Sequence, residues 1–220
     1  MMRYILPLIT ALFLLLPSAQ AQQDSELFQG LLKEGDLEFR DPGRDFERLP
    51  VEPDFVMPYE ARYRSRDGEL EIRLAIRPLG RIEIDYEDPH NAAPAPNDLF
   101  NMLFRALSET LAEGHQVLSR DFPVEVARER FRAGWAAVGV FDLVPGISDR
   151  YRQGMLFALH QNDKADAYML FLTNDLKGQQ ARIEAAQTSL RFRSFESDIH
   201  RPPTPDELKK LPMIPERAGS

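Results

Sequence analysis

Between Phe131 and Phe192 three apolar segments follow one another: Trp135 to Val144 (WAAVGVFDLV), Tyr151 to Gln161 (YRQGMLFALHQ) and Asp166 to Thr173 (DAYMLFLT). Each has strand length and is bounded by turn residues, Pro145-Gly146 after the first and Asn162-Asp163-Lys164-Ala165 between the other two. The third is continuously apolar from Ala167 to Leu172, the pattern of a strand covered on both faces. The stretch from about Leu176 to Phe192 carries Ile183, Ala186 and Leu190 at helical spacing and predicts an amphipathic helix that closes the unit. A sheet built on these strands needs a partner, and the upstream chain offers one.

Tyr59 to Arg66 and Glu69 to Arg77 flank Asp67-Gly68, a dipeptide suited to positive φ at both centres of a type I′ hairpin turn. A two-residue loop fixes the register, with Arg64 opposite Glu71, Tyr63 opposite Ile72 and Ala61 opposite Leu74. One face then carries Tyr59, Ala61, Tyr63, Leu70, Ile72, Leu74 and Ile76; the other is charged and predicts a solvated surface of cross-strand ion pairs. Beyond Pro78 to Gly80, Arg81 to Glu87 alternates and predicts a third strand.

Asn97 or Asp98 then caps a helix running to Glu113, with Leu99, Phe100, Leu103, Phe104, Leu107 and Leu111 as its apolar stripe and Gly114 as its stop. The stripe is wide, so this helix should lie on the sheet. A short strand is expected within His115 to Asp121, and Pro123 opens a helix through about Phe131. Ahead of the hairpin, Ser25 to Gly35 reads as a short amphipathic helix, and Asp36 to Pro58, with four prolines, as an extended lead-in.

Arg3 precedes an unbroken apolar run, Tyr4 to Pro17, and a small-residue site at Ala19-Gln20-Ala21, which together read as a Sec-type signal peptide. The apolar core from Ile5 to Leu16 is too short to cross a hydrocarbon slab of about 30 Å as a helix. The expected organisation is therefore a signal peptide over 1–21, a short helix and lead-in over 22–58, one α/β domain over 59–192 and a flexible tail over 193–220. That places the mature chain, from Gln22, in the periplasm or outside the cell, with no membrane span after cleavage.

Lys and Arg number 27 against 35 Asp and Glu, a formal charge of −8, and loss of residues 1–21 would remove one Arg and no acid. A balance so acidic lacks the basic face that nucleic acid requires. The chain has no cysteine, which excludes disulfide staples, thiol catalysis and a lipid-bearing Cys at the cleavage site. Its stability rests on a hydrophobic core, and 220 residues suffice to bury one.

The order strand, strand, strand, helix, strand, helix, strand, strand, strand, helix resembles the PsbP-like family, the fold of the extrinsic protein of photosystem II and of a small Ran-binding nuclear import factor. The resemblance covers roughly Tyr59 to Phe192, with its local points at Asp67-Gly68, the helix Asp98 to Glu113 and the last hairpin leading to Ser189-Leu190-Arg191-Phe192. It implies an α+β fold, a central antiparallel sheet of about six strands with helices on both faces. It implies binding or assembly roles and brings no common active site.

Common catalytic spacings fail. His90, His115, His160 and His200 are far apart, Ser148 in Gly146-Ile147-Ser148-Asp149 lacks the second glycine of a nucleophile elbow, and no phosphate-cradling glycine loop occurs. The densest polar group is Glu83, Asp85, Glu87, Asp88 and His90, whose oxygens suit Ca²⁺ or Mn²⁺ if the Pro89 turn folds back on the strand; a charged outer face is the plainer reading. Tyr151, Phe157, Tyr168 and Phe171 could line a pocket between sheet and helix, or simply fill the core. Trp135 and the extended run Arg201, Pro202, Pro203, Pro205 are candidate binding residues. Three functions follow: a non-enzymatic protein binding another periplasmic protein or an envelope component, a divalent-metal protein or metal-dependent enzyme using 83–90, or a carrier with an apolar pocket under the helix Asp98 to Glu113. No cofactor other than such a metal is expected.

Overall fold

The computed structural model describes residues 25–52, 56–85, 90 and 93–195. In chain order the strands are β1 Leu37–Phe39, β2 Phe46–Leu49, β3 Ala61–Ser65, β4 Leu70–Pro78, β5 Leu118–Asp121, β6 Trp135–Asp142, β7 Gln153–Gln161, β8 Ala165–Thr173 and β9 Leu190–Phe192. The helices are α1 over 25–34, α2 Phe100–Leu111, α3 Val124–Phe131 and α4 Gln180–Gln187. Seven strands form one antiparallel sheet in the order β2-β3-β4-β8-β7-β6-β5, while β1 and β9 pair as a separate ribbon. The class is the expected one, α+β with helices on both faces. The seventh strand, β2, comes from the segment read as lead-in and pairs with β3 from Phe46↔Ser65 to Leu49↔Arg62.

The three strands named first lie almost where the apolar runs put them. β8 is buried at every residue because β4 and β7 flank it and both faces are covered. Its register with β4 runs from Leu70↔Thr173 to Pro78↔Ala165. One sheet face carries Ile72, Leu74, Phe157, Met169 and Phe171 against α1, α3, α4 and the β1–β9 ribbon. The other carries Leu156, Leu170 and Leu172 against α2 and the loop around Ile147 and Tyr151. Gly139 on β6 lets α2 approach, since a Cβ there would lie 3.2 Å from Ser108 Oγ and 3.3 Å from Phe104. Phe28, Leu31, Leu32 and Leu37 belong to the first core, so the domain body reaches back to residue 25 rather than starting at Tyr59.

The β3–β4 register is as derived, Ala61↔Leu74, Tyr63↔Ile72 and Arg64↔Glu71. The turn is different: Gly68 alone is left-handed, with φ 74°, and Asp67 keeps ordinary backbone angles. Asp67 Oδ1 accepts the Ser65 hydroxyl at 2.6 Å and the Glu69 N–H at 3.1 Å, so its side chain organises the turn that its backbone was expected to make. The Arg150 guanidinium lies 2.1 Å from where a Cβ would stand, so a side chain here would also displace the end of that arginine. Gly68→Ala is expected to lower stability by about 1–2 kcal/mol from backbone strain alone, read as a lower urea midpoint at unchanged slope.

Four expectations are corrected. Residues 82–85 are not a strand: a single 3-10 turn at Leu79–Arg81 ends β4, and on the stretch of β4 left unpaired by β3 the Ile76 N–H is taken by the Glu60 carboxylate and Pro78 has none, so a returning strand has no ladder to join. The closing helix stops at Gln187, and Leu190 and Phe192 point inward at period two as β9. Tyr59 packs on the opposite face from Ala61 and Tyr63, under the Arg73 guanidinium at 5.2 Å, because the chain bends at Glu60 before β3 begins. The charged face of the hairpin carries the expected cross-strand pairs, Arg62 and Arg64 with Glu71, but is only partly solvated: Glu71 and Arg73 are 2% and 3% exposed, since β4 is an inner strand and the 143–151 loop packs over that side.

Candidate functional site

β4 outruns its neighbour: β3 begins at Ala61, opposite Leu74, so residues 75–78 have no partner on that side. A groove of about 640 Å³ opens along this stretch. Ile76 and Pro78 form its floor, Leu27 and Leu31 of α1 one wall, Leu103, Ala106 and Leu107 of α2 the other, and Val56 to Pro58 its end. Its size is that of a small-molecule pocket. Leu27, Val56 and Leu103, which line it, are 53%, 52% and 40% exposed. Apolar side chains concentrated on one rim mark a contact surface.

α2 is held so that its second stripe faces this groove. Phe104 and Leu111 are buried against the sheet. Phe100 stacks on the His160 ring at 4.2 Å and packs on Trp135 at 4.8 Å, pinning the start of the helix. Residues 103, 106, 107 and 110 are then left on the side toward β4. Trp135 is thus an anchor for α2, packed also against Phe104 at 5.5 Å.

Most polar groups in the walls are matched to each other. Glu60 accepts the Ile76 N–H at 3.0 Å and an Arg77 Nη1–H at 2.8 Å, and burial holds its carboxyl above the ordinary range despite Arg77. Arg81 pairs with Glu34 at 2.6 Å, which holds that carboxyl low. Asp166 Oδ1 lies 2.7 Å from His160 Nδ1, whose Nε2 lies 2.9 Å from Asn162 Oδ1. Tyr168 is the exception: it is 5% exposed, lines the groove, and its hydroxyl has no hydrogen-bond partner among the described residues. Burial pushes its phenol well above 10, with Asp166 adding to the effect, so it stays a neutral donor.

Tyr168→Phe removes a hydroxyl that makes no hydrogen bond to a described residue, so the ligand-free protein is expected to keep its stability within about 0.5 kcal/mol or to gain slightly. The raised phenol contributes stability that is fully present below pH about 10 and lost as pH climbs toward the folded-state value. The alkaline limb of the stability curve should therefore flatten in Tyr168→Phe, read by urea denaturation at stepped pH.

The residues singled out in the sequence are not gathered here. Glu83 and Asp85 lie on an exposed irregular stretch and His90 is exposed, so the strand face that was to align the carboxylates is absent. Glu87 and Asp88, like Arg201, Pro202, Pro203, Pro205 and the signal-like residues 1–21, lie outside the described residues. Among the described residues no three His, Asp or Glu side chains are grouped to hold a metal, and no helix is long and apolar enough to cross a membrane. Ser148 is a loop serine whose Oγ accepts the N–H groups of Arg150 and Tyr151, both at 3.1 Å. Of the aromatic four, Tyr168 lines the groove, while Phe157 and Phe171 fill the opposite core.

No family model matches the chain, and no curated protein sequence matches it. A solved structure of similar architecture is the solution structure of cyanobacterial PsbP (CyanoP) from Synechocystis sp. PCC 6803, at 10% identity, covering 73% of this chain and 88% of that one, with a TM-score of 0.41. That likeness is one of architecture, and nothing about function is drawn from it.

Proposed function

We propose that this chain is a non-enzymatic binding protein whose groove beside α2 takes a small aliphatic molecule bearing one hydrogen-bonding group, and that it acts after export on an apolar component of the cell envelope. The observation that carries the reading is the groove of about 640 Å³ with an apolar rim and, in its wall, the Tyr168 hydroxyl, which has no hydrogen-bond partner among the described residues. Acid, base and cation in the same walls are already paired, which suits binding better than proton transfer. A peptide strand adding to the free stretch of β4 is disfavoured, since the Ile76 N–H is taken by Glu60 and Pro78 has none. Export rests on the signal-like residues 1–21.

A fluorescent fatty-acyl probe should bind saturably to the wild-type protein. Ala106→Trp, at an exposed helix position on the groove wall, should weaken that binding at least about tenfold and leave the fold intact. Equal uptake by the variant, or none by the wild type, overturns the reading. Export is checked separately by sequencing the N-terminus of the secreted fraction, with Gln22 expected.

A further inference from the structure

A second cavity, of about 300 Å³, lies on the far side of the β3–β4 hairpin under the loop that ends at Tyr151. Arg62, Arg64, Arg73 and Arg150 reach it, with Glu71 between them and Glu52 and Asp149 also in its lining. Glu71 is fully engaged: Oε1 accepts from Arg62 Nε at 2.9 Å and Arg73 Nε at 2.8 Å, and Oε2 accepts from Arg62 Nη2 at 2.9 Å. Arg64 is left over. Its Nε is buried, has no hydrogen-bond partner among the described residues, and stands 3.7 Å from a Glu71 oxygen that Arg62 already occupies. Arg150 is the second unspent cation, its guanidinium 5.7 Å from the Tyr151 ring centroid and packed on Gly68, with no ion pair among the described residues.

We infer that this cavity binds a small oxyanion, a carboxylate or phosphate-type group, held by the free donors of Arg64 and Arg150. A guanidinium N–H buried without an acceptor is costly, and an oxyanion supplies the missing acceptor in the geometry guanidinium favours. Arg62 and Arg73 lock Glu71, so the carboxylate cannot swing across to satisfy Arg64 itself. The loop turn built on Ser148 and the Tyr151 hydroxyl, which donates to the Gly68 carbonyl at 2.9 Å, holds Arg150 in place over the cavity. The site lies on a different part of the hairpin from the apolar groove, and no described residue lines both.

The test is titration of the full chain with sodium phosphate, with sodium acetate and with sodium chloride at matched ionic strength, following the arginine Nε–Hε signals by NMR. Saturable movement of the Arg64 signal with phosphate or acetate, and not with chloride, is expected; whichever anion acts identifies the group. Arg150→Gln, at an exposed position, should weaken the effect on the Arg64 signal about tenfold, and Arg64→Gln should weaken the effect on the Arg150 signal likewise, the loss of one charge-assisted pair, while fatty-acyl probe binding stays as in the wild type. A response to chloride equal to that of the oxyanions, no response at all, or unchanged binding in Arg150→Gln overturns the inference.

Discussion

Glu71→Ala is expected to cost about 3–5 kcal/mol, more than any other single change on the charged side of the hairpin. The carboxylate is 2% exposed and receives the Nε–H of both Arg62 and Arg73, the second of which is itself 3% exposed. Removing it leaves the guanidinium groups of Arg62 and Arg73 facing each other without the carboxylate that both donate to. A fall in the denaturation midpoint at unchanged slope measures the loss. The pair Glu71→Leu with Arg73→Met separates two causes. Buried ion pairs commonly gain no stability over apolar residues of the same volume, so the double variant should recover the part of the deficit due to Arg73 and keep the part due to Arg62, whose two hydrogen bonds to Glu71 are still lost. By contrast Arg81→Ala, which breaks the exposed pair with Glu34, is expected to cost less than about 1 kcal/mol.

Phe192→Ala is expected to cost a similar amount, about 3–5 kcal/mol, although the residue lies beyond the last helix. Its ring is fully buried, and its backbone pairs with Leu37 in the ribbon that carries the chain's C-terminal segment onto α1. Arg191, between two buried neighbours, is only half-buried and makes an ion pair with Glu38, so Arg191→Ala should cost less than about 1 kcal/mol. The alternation of large and small effects along 190, 191 and 192 is the signature of a strand. Uniform small effects would contradict the placement of this segment in the core.

What could be read from the residues follows from how local each cause is. β6, β7 and β8 were legible because apolar runs of strand length end at turn residues, and the hairpin register because a short loop allows few alternatives. β9 was not: Leu190 continues the helical spacing of Ile183 and Ala186, and only its pairing with β1, some 150 residues upstream, makes it a strand. The burial of Glu71 and Arg73 was hidden for the same reason, since the loop that covers them is distant in sequence and an alternating charged face looks alike whether wet or covered. The groove depends on where β3 stops relative to β4, which no single segment specifies. A signal was nonetheless present in α2, whose apolar stripe is wider than one sheet face uses: Phe104 and Leu111 fill the core and Leu103 is left over. The acidic run from Glu83 misled because its alternation matches a strand, but the Leu79–Arg81 turn ends β4 and the donors a returning strand would need are taken by Glu60 or absent at Pro78.

The most direct test of the groove is isotope-filtered NMR on the labelled protein saturated with an unlabelled aliphatic ligand such as a medium-chain fatty alcohol. Contacts from ligand methylenes to Ile76, Leu103, Leu107 and Val56, with the ligand's oxygen end nearest Tyr168, are the predicted result. Ligand contacts confined to residues elsewhere, such as the 81%-exposed Leu118 on β5, or no contacts under saturating ligand, would contradict it.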